Sequence, residues 1–162
     1  MLKEIPATSN GFHWEHVHNL LWSYEHFLGK PLFDGHSDNP SPSQAELAQV
    51  VYSAPFALVS HGVESEPVFN YANKTALFLF AMDWTEFTKT PSKYSAESVS
   101  RVERADLLAR VTRDNYIDDY RGVRIAKNGV RFLIEQAVVW NVVDEQLNKR
   151  GQAAMFSHWQ FL

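Results

Sequence analysis

Histidine is the most frequent side chain with acid–base or metal-binding chemistry near the start of this sequence. Four histidines fall within one predicted helix: His13, His16, His18 and His26. At about 100° per residue, His13 and His16 lie roughly 60° apart around the helix, whereas His18 points well away from both. No carboxylate shares their face, and a zinc site takes three or four ligands. We therefore predict a solvent-exposed helix face rich in histidine and no metal site.

The sequence contains no recognised catalytic motif. It has no cysteine, which excludes disulfides, thiolate metal sites and cysteine nucleophiles. It also lacks a nucleophile elbow, a phosphate-binding loop and a zinc-protease motif. Ser157 and His158 are adjacent, but neighbouring side chains of a strand point to opposite faces and cannot form a nucleophile–base pair. We predict no catalytic residue. A small isomerase- or dehydratase-like enzyme stays the alternative, with Asp119, His61 and His158 as candidate bases.

Polar side chains also occur in the C-terminal segments that are predicted to form strands. Gln136 belongs to the same alternating set as Val138 and Trp140, so it should face the protein interior with them. A buried glutamine needs partners for its oxygen and its amide, either in neighbouring strands or in a ligand. Arg121 and Arg131 can bind a ligand carboxylate, or pair with acidic residues across the hairpin.

The composition is that of one soluble globular domain. The chain has 162 residues, 45% of them hydrophobic, and a net charge of -4. These values argue against nucleic-acid binding and against disorder. No apolar segment is long enough to span a bilayer, and the first residues lack the apolar core of a signal peptide. We expect a cytoplasmic protein with no membrane partner.

Two helices are predicted before residue 55. Within Phe12–Leu28, five apolar residues form one stripe: Trp14, Val17, Leu21, Tyr24 and Leu28. Gly29 ends this helix, and residues 33–42 form a predicted linker. Ser43–Glu46 has the form of a capping box that begins the second helix. The apolar stripe would either pack on the domain's own sheet or form a homodimer.

The rest of the chain indicates a sheet interrupted by helices. Five strands are predicted: Phe56–Ser60, Pro67–Tyr71, Tyr116–Ala126, Val130–Val143 and Gly151–Trp159. Asn128-Gly129, between two apolar segments, predicts a hairpin. Helices occupy the interval from Asn73 to about Asn115, which indicates an α+β fold with an antiparallel sheet. Val130–Val143 is apolar on both faces, so both need cover. The middle helices would cover one face, and the N-terminal helix or a partner chain would cover the other.

This element order resembles the PAS fold. Val68–Phe80 is similar to the PAS passage in which a strand ends at an Asn before an Ala-Leu-Phe helix, and Asn73 would cap that helix and brace the turn. The hairpin at Asn128-Gly129 and the glycine that begins the last strand fit the same fold. The resemblance implies a five-stranded antiparallel sheet with helices on one face and an N-terminal helical extension.

A more specific resemblance is to the MEKHLA domain, a PAS-related family. The matching words are Phe69–Asn73, Tyr94–Glu97, Arg104–Leu108, Ile134–Asn141 and Gly151–Trp159. The chain has no homeodomain or leucine zipper, so it resembles the free-standing bacterial and algal members. We expect residues 1–42 to form an N-terminal helix and linker, and residues 43–162 to form the PAS-like domain.

The resemblance implies a sensory, ligand-binding and protein-interaction module. Such a module would bind a small organic molecule between helices and sheet, and would form a homodimer through the N-terminal helix. Eight residues are predicted to contact the ligand: Asn70, Tyr71, Asn73, Tyr94, Arg121, Gln136, Trp140 and His158. A cysteinyl-flavin adduct is excluded because there is no cysteine, and haem or non-covalent flavin is not favoured. A partner-binding module with a filled core is the third interpretation.

Overall fold

The computed structural model describes residues 4–33, 43–96 and 101–162. The predicted linker 33–42 lies outside this range apart from Phe33. The helices are α1 (Trp14–Leu28), α2 (Gln44–Tyr52), α3 (Lys74–Phe80), α4 (Trp84–Phe87) and α5 (Arg101–Asp114), with 3₁₀ turns at Thr8–His13 and Ser92–Ser95. The strands are β1 (Ala57–His61), β2 (Phe69–Ala72), β3 (Tyr116–Ile125), β4 (Arg131–Val143), β5 (Lys149–Phe156) and β6 (His158–Phe161). No described helix is long and apolar enough to cross a bilayer.

The strands form one antiparallel sheet in the order β2-β1-β5-β4-β3. Strands β5 and β6 both pair with β4. The register of the pairing is the same on both sides of Ser157, where the strand itself is interrupted. The predicted last strand is therefore present as two consecutive strands, and the sheet has six strands rather than five. The predicted α+β class with an antiparallel sheet is confirmed, and the hairpin between β3 and β4 turns at Gly129, whose φ is +84°.

Helices α1 and α2 cover one side of the sheet, which we call the α1 face. Its buried residues are Val17, Leu20, Leu21, Tyr24, Leu47 and Val51 from the helices and Leu58, Tyr71, Val138, Trp140 and Val142 from the strands. The indole Nε1 of Trp140 donates to the Leu20 backbone oxygen at 3.2 Å. The stripe of α1 thus packs on the chain's own sheet, which is one of its two predicted uses. A homodimer through this helix would use its other residues and stays a prediction.

Helices α3, α4 and α5 cover the opposite side, which we call the α5 face. Its buried residues are Ala76, Leu79, Phe80, Phe87, Leu107 and Val111 from the helices and Val59, Phe132, Ile134, Val139 and Phe156 from the strands. Strands β4 and β5 lie inside the sheet and contribute apolar side chains to both faces. This explains why β4 is apolar on both of its alternating faces.

Asn73 joins the elements of the two faces, as its predicted role at the turn requires. Its side chain is fully buried and makes four hydrogen bonds. The Oδ1 atom accepts from the backbone N–H groups of Leu58 and Ala76 at 3.1 and 3.2 Å. The Nδ2 atom donates to the backbone oxygens of Val51 and Phe56 at 3.2 and 2.7 Å. One side chain therefore caps α3 and holds the end of α2 against β1.

Candidate ligand cavity

A cavity of about 70 Å³ lies on the α5 face, between the sheet, α5 and the turn at Ser92–Ser95. Most of its lining is apolar. Its polar or charged lining residues are Ser60, His61, Ser92, Ser95, Tyr120, Arg104, Arg124 and Gln152, and the described lining contains no Asp or Glu. A largely apolar hollow with a few convergent polar groups is the usual form of a small-molecule site.

Small side chains on the central strand explain why this space is left open. Ala154 lies on β5 with Val59 of β1 and Val139 of β4 as its direct cross-strand partners. Residues directly opposite each other in an antiparallel pair share a face, so this row borders the cavity. Ala137 of β4 borders it as well. Val139 and Ala154 pack with Leu107 and Val111 of α5, and the short alanine side chains leave the space beside this contact unfilled.

A ladder of buried amides fixes α5 on the sheet beside the cavity. The Gln152 side-chain amide donates to the Leu108 backbone oxygen at 3.2 Å and to Asn141 Oδ1 at 3.0 Å. The Asn141 amide in turn donates to the Val111 backbone oxygen at 3.0 Å. Buried amides with satisfied donors resist movement, so these contacts hold the position of the cavity-lining part of α5.

Two arginines border the cavity and carry the same charge. Arg104 of α5 donates to the hydroxyl of Ser92, which is itself buried. Arg124 of β3 donates to its neighbour's backbone oxygen at 3.1 Å, and its guanidinium lies 5.3 Å from the centre of the Tyr120 ring. Burial, followed by repulsion from Arg124, lowers the pKa of Arg104 to about 10. Among the described residues, no carboxylate forms an ion pair with either arginine.

His61 stands at the end of β1 on the same face. It is the direct cross-strand partner of Gln152, which points to α5. Its Nδ1 lies 3.0 Å from the Gly62 backbone oxygen, and its Nε2 is buried without a hydrogen-bond partner among the described residues. Burial is the largest cause that lowers the pKa of His61, and the charge of Arg104 lowers it further. The imidazole is therefore neutral, with the proton on Nδ1 and a free lone pair on Nε2.

Gly151 allows β5 to approach His61 closely. A Cβ atom at this position would lie 1.9 Å from the His61 backbone oxygen, and the φ of Gly151 is +150°. Only glycine fits this backbone and this contact without strain. The glycine that begins the last predicted strand therefore has a definite structural reason.

Four of the eight predicted ligand residues are buried or half-buried away from the cavity. Tyr71 and Trp140 pack on the α1 face. Asn70 accepts a hydrogen bond from Ser60 Oγ at 2.5 Å. The side chain of Asn73 uses its oxygen and its amide in the four hydrogen bonds to the backbone described above. The Tyr71 hydroxyl has no partner among the described residues, and burial raises the pKa of Tyr71. The structure thus gives these residues packing or bracing contacts.

The other four predicted ligand residues lie at the surface. They are Tyr94, Arg121, Gln136 and His158, all of them exposed. Tyr94 has the guanidinium of Arg101 5.2 Å from its ring centre, which is a cation–π contact at the surface. None of the eight residues borders the cavity, and the structure does not bring them together.

The predicted orientation of Gln136 is wrong. Its φ is +53°, and the pairing between β3 and β4 shifts register near this position. Such a bulge breaks the alternation of side chains along the strand. Ile134 and Ala137 consequently border the cavity, Val138 and Trp140 pack on the α1 face, and Gln136 faces solvent.

The candidate catalytic bases and the N-terminal histidines are also dispersed. Asp119 and His158 are exposed and lie on other strands than the half-buried His61. His16 Nε2 lies 2.9 Å from Ser60 Oγ, so this ring braces α1 on the sheet and does not share the predicted exposed face. Within the part of the chain that the structure describes, no three His, Asp or Glu side chains are placed to hold a metal ion.

Sequence reasoning missed the role of Arg104. The signal was present, because Arg104, Leu107, Leu108 and Val111 recur at helical spacing and share one stripe. A cation on the buried stripe of a helix is unusual unless it is paired. Arg124 lies within a predicted strand and His61 directly follows one, but only the packing of α5 on the sheet brings them to one cavity.

Comparison with solved structures supports the fold. The PAS domain of a protein from Colwellia psychrerythraea aligns with a TM-score of 0.60 at 12% identity, over 72% of this chain and 94% of that one. The light-state dimer of the fungal blue-light photoreceptor Vivid aligns with a TM-score of 0.55 at 13% identity, over 87% and 90%. An RNA-binding light-oxygen-voltage receptor aligns with a TM-score of 0.60 at 14% identity, over 79% and 35%.

The sequence itself matches a family model. The match spans residues 14–161 and is to the MEKHLA domain. No match among curated proteins accompanies it. The matched range includes α1, the cavity on the α5 face and every strand of the sheet. The chain therefore belongs to the MEKHLA domain family, and its fold is that of the PAS and light-oxygen-voltage domains.

Proposed function

We propose that this chain is a PAS-like sensory module that binds a small organic molecule in the cavity on the α5 face. The observation that carries the proposal is the combination of open space, the buried His61 Nε2 without a partner among the described residues, and two arginines that no described carboxylate pairs with. Native cores leave few voids and few unpartnered buried polar atoms, so their coincidence favours a ligand. A partner-binding module with a filled core would have neither.

The size of the cavity limits the ligand. About 70 Å³ has room for several water molecules or for a compact organic molecule. Sites for drug-sized ligands and cofactors are roughly 300–1,000 Å³. The cavity therefore supports a ligand of few heavy atoms, and it does not fit a haem or a flavin in this conformation.

The contacts of α1 with the strands support a role in which α1 moves when the ligand binds. Ser60 of β1 borders the cavity and is bonded to His16 of α1 on the other side of the sheet. Ser23 of α1 exchanges two hydrogen bonds with the backbone of Val143, both at 2.7 Å. A shift of β1 or β4 on ligand binding would move the surface on which α1 packs. Dimerisation through α1 and a cytoplasmic location stay predictions from the sequence.

Native mass spectrometry of the freshly purified full chain tests the proposal. We expect a retained small-molecule adduct in the wild type. The variant Ala154→Leu should lose it, because the larger side chain fills the cavity. The matched control Ala105→Leu adds the same atoms on the exposed side of α5 and should keep the adduct.

Two outcomes would contradict this function. One is an adduct that A154L retains as well as the wild type does. The other is a wild type without any adduct that also binds no small carboxylate or amide in a calorimetric titration.

A further inference from the structure

We propose that the ligand is a small organic carboxylate whose anionic group pairs with Arg104 and Arg124. This inference rests on the proposed function and names the chemical class of its ligand. The two arginines come from different elements, α5 and β3, and both border the cavity. They are distant in sequence and come together because α5 packs against the sheet.

The charge around the cavity is unbalanced. Both guanidinium groups are partly buried, and no described residue supplies a carboxylate to either of them. Like charges that are held near each other and partly out of water are unfavourable unless a counter-charge is bound. An anion in the cavity would supply that counter-charge, and a guanidinium fork matches the two oxygens of a carboxylate.

The hydroxyl of Ser92 adds a donor to the same site. Its oxygen accepts from Arg104, so its hydrogen is available to another acceptor. Ser92 is buried and held by the 3₁₀ turn, since its backbone N–H donates to the Pro67 oxygen at 2.8 Å. A carboxylate oxygen would thus meet donors whose positions are already fixed, which lowers the entropic cost of binding.

The remaining lining requires that the anion be organic. The side chains of Phe69, Phe80, Leu107, Val139 and Phe156 form much of the wall. These side chains gain nothing from an inorganic ion but bury the apolar part of a carboxylic acid. The volume limits that part to a few carbon atoms.

Each carboxylic acid can be compared with the amide of the same shape, so that a difference in affinity measures the effect of the negative charge. The pairs are propionate with propionamide, butyrate with butyramide, and isobutyrate with isobutyramide, each titrated calorimetrically into the full-length protein at pH 7. Inorganic phosphate is the additional probe. We expect at least one acid to bind roughly 10- to 100-fold more tightly than its amide, which is the range of a charge-assisted hydrogen-bonded pair.

Three arginine variants locate that preference. Arg104→Gln and Arg124→Gln should each reduce the acid–amide ratio to within about 3-fold of unity, and the second variant keeps the test valid if the first does not fold. Arg110→Gln removes a cation from the exposed side of α5 and should leave the ratio unchanged.

The possible failures are distinguishable. Equal binding of acid and amide would overturn the carboxylate inference and leave ligand binding intact. Phosphate binding as tightly as the best carboxylate would overturn the organic part of the inference. A preference that survives in both R104Q and R124Q would place the anion elsewhere. If no acid or amide binds, the carboxylate inference fails; the proposed function fails with it only if native mass spectrometry also shows no adduct that A154L loses.

Discussion

The two faces of the sheet are built from the same strands but are filled differently. On the α1 face, Trp140 is fully buried and packs edge-on against Tyr24 with 5.1 Å between ring centres. On the α5 face, the corresponding centre of the sheet carries Ala154 and a cavity. One face is thus closed by a large aromatic residue, and the other is left open at the same level of the sheet.

The polar groups of the two faces also differ. On the α1 face, Ser23 and Trp140 form hydrogen bonds between α1 and the strands, and the buried Tyr71 hydroxyl has no partner among the described residues. On the α5 face, two arginines have no carboxylate among the described residues, and a histidine nitrogen there has no partner. The α5 face therefore differs from the α1 face by its open space and by two positive charges beside that space.

The largest expected loss of stability comes from replacing Asn73, whose side chain connects elements of both faces. Asn73→Ala would leave the backbone N–H groups of Leu58 and Ala76 and the Phe56 oxygen without the Asn73 side chain as partner, whereas the Val51 oxygen keeps the Ala54 N–H at 3.3 Å. Since each unsatisfied buried group costs about 1–3 kcal/mol, we expect a loss of roughly 3 kcal/mol or more in the free energy of unfolding. Urea denaturation measures it.

Thr75→Val is the matched control for that change. It removes a single hydrogen bond, from the Thr75 hydroxyl to the Ala54 oxygen at 2.7 Å, and should cost about 1 kcal/mol. If N73A is no more destabilising than T75V, then Asn73 does not hold the two faces together.

A pair of neighbouring residues on β5 sharpens the comparison of packing. Ala153 lies opposite Trp140 on the filled α1 face, so Ala153→Val should overpack it and cost about 1–3 kcal/mol. Ala154→Val places the same methyl groups toward the cavity and should cost less. Both positions lie in the same strand, so the strand propensity of valine cancels between them. Thermal unfolding would reveal the order, and an equal or larger loss in A154V would show that the cavity is already full.

The smallest expected effect is a pH dependence that comes from His61 on the α5 face. Because burial lowers the pKa of His61, the unfolded chain binds a proton at a higher pH than the folded chain does. Stability should therefore be intact above pH of about 6.5 and fall below it, by at most about 1.4 kcal/mol per pH unit.

The variant His61→Gln tests this pH dependence. The free energy of unfolding of this variant should change less with pH between pH 7.5 and 5 than that of the wild type. The control His158→Gln replaces an exposed histidine and should keep the wild-type slope. Urea unfolding at several pH values gives the profiles. Parallel profiles for the wild type and H61Q would mean that His61 is not held neutral.

The fold was predictable because its signals are local. Asn73 precedes a helical stripe, Gly129 stands between two apolar segments, and Gly29 follows the last residue of α1. Each is decided by the backbone within a few residues, and the structure confirms all three. Even the cover of both faces followed from the apolar pattern of β4.

The site was not predictable from the same signals. The bulge at Gln136 rotates the preceding part of β4, so strict alternation assigned Gln136 to the interior. The grouping of Arg104, Arg124 and His61 depends on how α5 lies across the sheet, which is a long-range contact. Local periodicity gives the buried stripe of α5 but not the strand residues that it meets.

The central claim is that a ligand enters the α5 face and not the α1 face. Alanines on each face report that face separately, so the direct measurement is a methyl NMR titration of protein labelled at the alanine methyl groups, with isobutyrate as the probe. We predict that the methyl signals of Ala154 and Ala137 shift together along one binding curve, while that of Ala48, which is buried in α2 on the α1 face, stays nearly fixed. A larger shift at Ala48 than at Ala154, or no shift at Ala154 at saturating probe, would contradict this account.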